Sequence, residues 1–160
     1  MQWVCGNRVL DLSKLLIMGI VNVTPDSFSD GGQHNSTASA IGHAMKLIAE
    51  GADILDIGGE STRPGAQDVS VDEELNRVIP VVEKLAQTGA IISVDTSKPE
   101  VMLQAMAAGA HIINDIRALQ LPGALEAAAS TNAGICLMHM QGAPRTMQQA
   151  PHYENLLSEV

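Results

Sequence analysis

The sequence predicts an α/β fold, a (βα)8 TIM barrel of which about the first five βα units are present. Two observations carry this. Helical segments ending in glycine lead directly into short apolar runs, as in Glu50-Gly51-Ala52 before Ile54–Gly58 and Thr88-Gly89-Ala90 before Ile91–Asp95. Each apolar run then stops on a polar or flexible residue. Short buried strands alternating with helices indicate βα units and a parallel sheet. The phosphate-binding GxGxxG turn of a doubly wound sheet is absent, which leaves the barrel.

Taken in order, Gln2 to Leu12 predicts a small hairpin turning at Gly6-Asn7. Leu16 to Val23 is the first barrel strand. Ile54–Gly58, Ile91–Asp95, Ile112–Asp115 and Ile135–His139 follow, the third after Ala108-Gly109-Ala110 and the last after Ala133-Gly134. Ser70 with Glu73, and Ser97 with Glu100, read as capping boxes that open helices. Pro99 fits a first turn, where its missing N–H costs nothing. Val71, Leu75, Val78, Ile79, Val82 and Leu85 form one apolar stripe at helical spacing, with a kink expected at Pro80. Gly51, Gly89 and Gly109 stand where left-handed C-caps belong. Tyr153 to Val160 reads as the start of a further helix. A full barrel takes about 250 residues, so this 160-residue chain is expected to form a single domain, 1–160, that is C-terminally incomplete and has two unpaired sheet edges. Such edges invite self-association.

Composition narrows the function. Nine basic and eighteen acidic residues give a net charge of −9, which argues against nucleic acid or an anionic membrane as partner. The longest apolar run, Leu15 to Val23, is about half the length of a spanning helix. No signal peptide is expected, since no charged segment followed by an apolar run begins the sequence. The two cysteines, Cys5 and Cys136, show no CxxC spacing and are expected to be reduced thiols. Aliphatic and methionine side chains must fill the core, since Trp3, Phe28 and Tyr153 are the only aromatics. Phe28, in a polar loop, is therefore a candidate functional residue.

In a βα barrel the active site lies at the C-terminal ends of the strands. Here those positions are Asn22, Gly58-Gly59-Glu60, Asp95-Thr96, Asn114-Asp115 and His139. Some are accounted for by solvent or by helix capping. Thr24 to Gly32 is a long loop where about two to six residues are usual. Asp95 and Asn114 could read the N–H and C=O edge of a heterocycle, with Ile116 and Met138 as an apolar wall. On spacing alone helix capping by Asp95 is equally open, and ordinary core packing is the plainer reading of Met138. Ser61-Thr62-Arg63-Pro64-Gly65 could hold phosphate oxygens, because arginine gives a forked contact; a solvated loop is the plainer reading. Asp56, inside a strand, needs a partner in a polar barrel layer and is read as structural. His139 has no companion at metal-ligand spacing, so zinc is not expected. His34, His43, His111 and His152 show no pattern.

Met18-Gly19-Ile20-Val21-Asn22-Val23-Thr24-Pro25-Asp26-Ser27-Phe28-Ser29-Asp30-Gly31-Gly32 resembles the first signature of the dihydropteroate synthases. Asp56-Ile57-Gly58-Gly59-Glu60-Ser61-Thr62-Arg63-Pro64-Gly65-Ala66 resembles the second, and Ser93-Val94-Asp95-Thr96, Asn114-Asp115-Ile116 and Leu137-Met138-His139-Met140 follow in that family's order. The resemblance covers essentially the whole chain and is close to the enterobacterial members. It implies a cytoplasmic transferase of folate biosynthesis and sulfonamide target, homodimeric at full length. Such an enzyme condenses 6-hydroxymethyl-7,8-dihydropterin diphosphate with p-aminobenzoate to 7,8-dihydropteroate and diphosphate. It implies that Asp95, Asn114 and Thr62 bind the pterin, with Ile116 and Met138 against its ring. Ser61 and Arg63 would lie near the diphosphate, Phe28 and Pro64 near p-aminobenzoate, and Asn22 at a Mg2+ that bridges to the diphosphate. No residue is assigned as catalytic beyond these binding groups. The family's later aspartate, Ser-Arg-Lys and Arg-x-His motifs are not in these 160 residues, so the chain alone is expected to be inactive. Two other readings stand beside this one: a methyltetrahydrofolate-type pterin-binding methyltransferase barrel, which would not need the two loops, and a non-catalytic pterin-binding fragment.

Overall fold

A computed structural model describes the chain except for residues 24–31, 62–67 and 145, and for the side chains of 32–35. Two sheets are present among the described residues. The first is the expected hairpin, β1 (Gln2–Cys5) paired antiparallel with β2 (Arg8–Asp11) around Gly6 at φ 60°. The second is a parallel sheet of β3 (Met18–Asn22), β4 (Ile54–Gly58), β5 (Ile91–Asp95), β6 (Ile112–Asp115) and β7 (Gly134–Leu137), in chain order. Between these strands run α1 (Gly32–Ala49), α2 (Val71–Ala86), α3 (Pro99–Ala108) and α4 (Ala124–Ala129), and α5 (Leu156–Glu159) follows β7. Sequential parallel strands joined by helices are the arrangement of a (βα)8 barrel through its first five units. The loop expected to end at Gly32 ends before it, since Gly32 already belongs to α1.

The two faces of the sheet have different jobs. Side chains alternate along a strand. Val21, Leu55, Ile57, Ile92, Val94 and Ile113 point one way, into a core shared with Val78, Val82 and Leu85 of α2 and Met102 of α3. The stripe expected on α2 is buried or partly buried as read, and Val81 and Glu74 are buried with it. Pro80 lies inside this helix without ending it.

The opposite, inner face carries Ile54 and Ile112 at its lower end. These pack with Cys5 and Leu10, and with Trp3, Leu16, Met18 and Ile91 around them. The hairpin thus covers the N-terminal end of the inner face, away from the strand ends where a barrel site forms. Three contacts tie it there. Gly6 N–H donates to Asn132 O at 2.7 Å, Arg8 Nη2 donates to Gly89 O at 3.0 Å, and Gly134 leaves room for Cys5 and Trp3. Just beneath, His111 is buried, and its Nδ1 accepts from the Ile92 N–H at 3.2 Å. That bond requires the ring to be neutral, and burial, aided by Arg8, lowers the His111 pKa accordingly.

One expected cap did not form. Ser70 Oγ accepts from Glu73 N–H at 3.2 Å and caps α2 as read. Ser97 does not cap α3; Lys98 is the N-cap residue and makes no side-chain cap bond. The Ser97 hydroxyl instead donates to Asp115 Oδ1 on β6 at 2.5 Å. A fully buried carboxylate outcompetes a partly solvated helix end.

Candidate functional site

Register assembles the site. Asn22 pairs with Gly58, Gly58 with Asp95, Asp95 with Asn114, and Asn114 with Cys136. These five positions form one row across the top of the inner face. Gly58 leaves this row open in the middle. A Cβ there would lie 3.5 Å from Asp95 Oδ2 and 3.9 Å from Asn22 Oδ1, so both side chains lean over the glycine. One layer lower on the same face run Ile20, Asp56, Ser93 and Ile112. Asn114 Nδ2 donates down to Asp56 Oδ2 at 2.9 Å, which supplies the partner that a charge inside a strand requires.

The charge balance of this region is acidic. Burial comes first in pushing the Asp95 carboxyl up to about 7, and the nearby carboxylates of Asp56, Glu74, Asp115 and Glu60 add to it. Burial likewise raises Asp56, against the pull of Ser93 and Asn114. Asp95 is thus poised between its neutral and ionised forms near neutral pH, and ligand N–H donors would favour the ionised one.

A cleft of about 270 Å³ opens beside this row, lined among others by Asp95, Thr96, Lys98, Ser61, Ile116 and Arg117. Its lining takes in Asp95 and Ile116 but not Asn22, Asn114 or Met138, so it flanks the row rather than covering it. Lys98 fixes one wall. Its ammonium is shared by Glu60, at the end of β4, and by Glu74 of α2. Burial alone would lower the Lys98 pKa, but the two carboxylates outweigh it and hold it above its ordinary value. Arg77 Nη1 donates to Gly59 O at 2.7 Å, and a Cβ on Gly59 would meet Val78 at 2.7 Å, so the strand end lies flat on α2. On the next strand, Asp115 accepts from the N–H groups of Arg117 and Leu119 at 2.8 and 2.7 Å. This shapes the turn after β6, in which Ala118 and Leu119 take positive φ.

Of the residues singled out from sequence, Asn22, Asp95 and Asn114 share the row. Ile116 lines the cleft with Asp95, Ser61 also lines it, and half-buried Met138 follows β7 with its N–H donating to Asp115 O at 3.2 Å. Phe28, Thr62, Arg63 and Pro64 lie outside the described residues, as do most of the two loops that carry them. His139 bonds Tyr153 Oη through Nε2 at 2.9 Å. No cluster of His, Cys, Asp and Glu suited to a metal occurs among the described residues. Sequence reading missed Cys136, which completes the row but sits in an apolar run that looks like core. It also missed Lys98, whose two partners are 38 and 24 residues away.

The family model for pterin binding enzymes matches residues 18–160. The chain belongs to the pterin-binding enzyme family. This chain is 64% identical over 152 residues to the dihydropteroate synthase of Escherichia coli (strain K12), covering 94% of this chain and 54% of that protein. Among solved structures, the Yersinia pestis dihydropteroate synthase with a sulfonamide drug superposes with TM-score 0.89 at 57% identity, covering 99% of this chain and 58% of that one. The Xanthomonas albilineans dihydropteroate synthase with 4-aminobenzoic acid gives TM-score 0.84 at 54% identity, covering 99% and 56%. The chain thus spans about half the length of the curated relatives it matches. The family match over residues 18–160 takes in both loop segments. Among the described residues, no helix is long and apolar enough to cross a membrane.

Proposed function

We propose that this chain is the pterin-binding part of a dihydropteroate synthase. The observation that carries the reading is the pairing of Asp95 with Asn114 in one row of the inner face, above a second polar layer. A carboxylate beside a carboxamide matches the alternating donors and acceptors of a pterin edge. The relatives solved with a sulfonamide drug and with 4-aminobenzoic acid support the second substrate.

In this reading Asp95, Asn114 and Thr62 hold 6-hydroxymethyl-7,8-dihydropterin diphosphate, with Ile116 and Met138 against the ring. Ser61 and Arg63 would serve the diphosphate, and Phe28 and Pro64 the arylamine. The bond from the pterin methylene to the diphosphate oxygen breaks, and its electron pair leaves with diphosphate. The p-aminobenzoate nitrogen forms the new C–N bond and loses one proton, giving 7,8-dihydropteroate. Asn22 is the residue that would touch Mg2+. It offers one exposed hard oxygen over the space left by Gly58, which suits an ion that takes few protein ligands and is held mainly by substrate phosphates and water. When bound, Mg2+ spreads the charge of the departing diphosphate. The same reading extends to a cytoplasmic protein that is a homodimer at full length.

Calorimetric titration with 6-hydroxymethyl-7,8-dihydropterin diphosphate, with and without Mg2+, tests this. Saturable binding that is lost in D95A and N114A is the expected result. A folded chain that takes up none of this ligand would overturn the reading. Binding without formation of dihydropteroate from p-aminobenzoate would identify a pterin-binding piece that needs the remaining length of its relatives for turnover.

A further inference from the structure

The Asn114 side chain has an NH2 that donates and a carbonyl that accepts, and which of them meets a ligand decides what the site reads. Nδ2 is engaged by Asp56 Oδ2, 2.9 Å away. Asp56 is only 5% exposed and lies one layer below Asn114 on the same face. An ionised carboxylate only accepts. Turning the Asn114 amide over would set its carbonyl oxygen against the Asp56 oxygen in a buried place and leave both without a donor.

We propose that Asp56 is a positioning residue that locks Asn114 with its carbonyl oxygen toward the ligand, so that the site selects heterocycles presenting an N–H there. The inference rests on the pterin-binding reading and deepens it. Ser93, paired with Asp56 in register, supports the lock: its hydroxyl can donate to Asp56 and so favours the ionised, accepting form. Asp56 and Ser93 together put a polar floor under the row that holds Asp95.

Two variants test the lock. D56V removes the acceptor, and D56N replaces the accept-only carboxylate by an amide that can offer Asn114 either end, so it should relax the lock while keeping a polar group there. D56S, too short to reach Asn114, replaces D56V if that variant loses its fold. The first readout needs no ligand: the side-chain NH2 signals of Asn114 in 15N NMR, assigned by their loss in N114D. Wild type should show one slowly exchanging proton, and D56V or D56S none. The second readout is the affinity for 6-hydroxymethylpterin against a panel of its N-methylated derivatives. Wild type should reject at least one derivative by about tenfold or more, the scale of one lost hydrogen bond in a dry site. In D56V or D56S that preference should collapse, because the freed amide can present either end. Unchanged Asn114 signals, or unchanged selectivity, in a folded D56V or D56S chain would overturn the proposal. If the NMR signature is present but the wild-type chain binds no pterin, the selectivity claim falls with the pterin-binding reading, and the fault is located in that reading rather than in the Asn114–Asp56 pair.

Discussion

Gly134 lies so close beneath Cys5 that a Cβ at position 134 would stand 2.4 Å from the Cys5 sulfur. The Trp3 ring would be 3.0 Å away on the same side. Replacing Gly134 by alanine should therefore push the hairpin off the sheet. Overpacking of this kind costs about 1–3 kcal/mol. A lowered urea midpoint and faster labelling of the otherwise buried Cys5 thiol would show it. A G134A chain with wild-type stability and a protected Cys5 would mean that the hairpin shifts at no cost.

Asp95 makes stability depend on pH in an unusual direction for a carboxyl. Its folded-state pKa, about 7, lies above the ordinary value of 3.8. The folded state therefore binds more protons than the unfolded state between these values, and this contribution is lost as pH rises through that window. D95N should flatten this slope and stabilise the chain at pH 8 by roughly 2–4 kcal/mol, while weakening pterin binding. Urea midpoints at several pH values for both proteins measure it. A parallel pair of curves would show that Asp95 titrates normally.

His111 acts in the opposite sense. Its pKa is lowered, so the folded state binds fewer protons than the unfolded state just below the ordinary histidine value. That contribution is present above about pH 6.5 and is lost as pH falls through the folded-state pKa. H111N, whose amide oxygen can take over the bond from the Ile92 N–H, should remove the acid-side loss, visible as a shallower fall of the urea midpoint from pH 6.5 to 5. An unchanged acid limb would place the sensitivity elsewhere.

Lys98 neutralises two carboxylates, one of them on Glu74, which is 1% exposed. K98M should cost about 3–5 kcal/mol, because it strands a buried charge. The double variant K98M/E74M should recover much of that loss, since a buried pair replaced by apolar groups of similar size is often neutral. Thermal melts of the two variants decide the matter, and equal losses in both would show that Glu74 is tolerated unpaired.

These relationships differ in how far the sequence announces them. Strand ends are marked by composition, and parallel strands repeat with a period of two. Asp95, Asn114 and Asn22 could therefore be placed at C-terminal strand ends from the sequence, while their common row depends on strand register. Asp56 announced only that it needed a partner; its identity depends on a register 58 residues away. Ser97 misled because a capping box is a local pattern, while the carboxylate that claims its hydroxyl comes from the neighbouring strand. Cys136 is invisible in a run of apolar residues, since a thiol on an inner face and one in a core look alike. The parts of the site on residues 24–31 and 62–67 rest on the loop motifs alone.

The strand order has a consequence in time. Among the described residues each strand of the parallel sheet pairs only with its neighbours in sequence, so the sheet can grow one unit at a time as the chain emerges from the ribosome. The hairpin cannot follow that order. It is made first, yet its anchors are Gly89, His111, Asn132 and Gly134, all on later units. The earliest residues synthesised should be among the last to settle, and Cys5 should remain open to thiol reagents on a stalled nascent chain until β7 has left the exit tunnel.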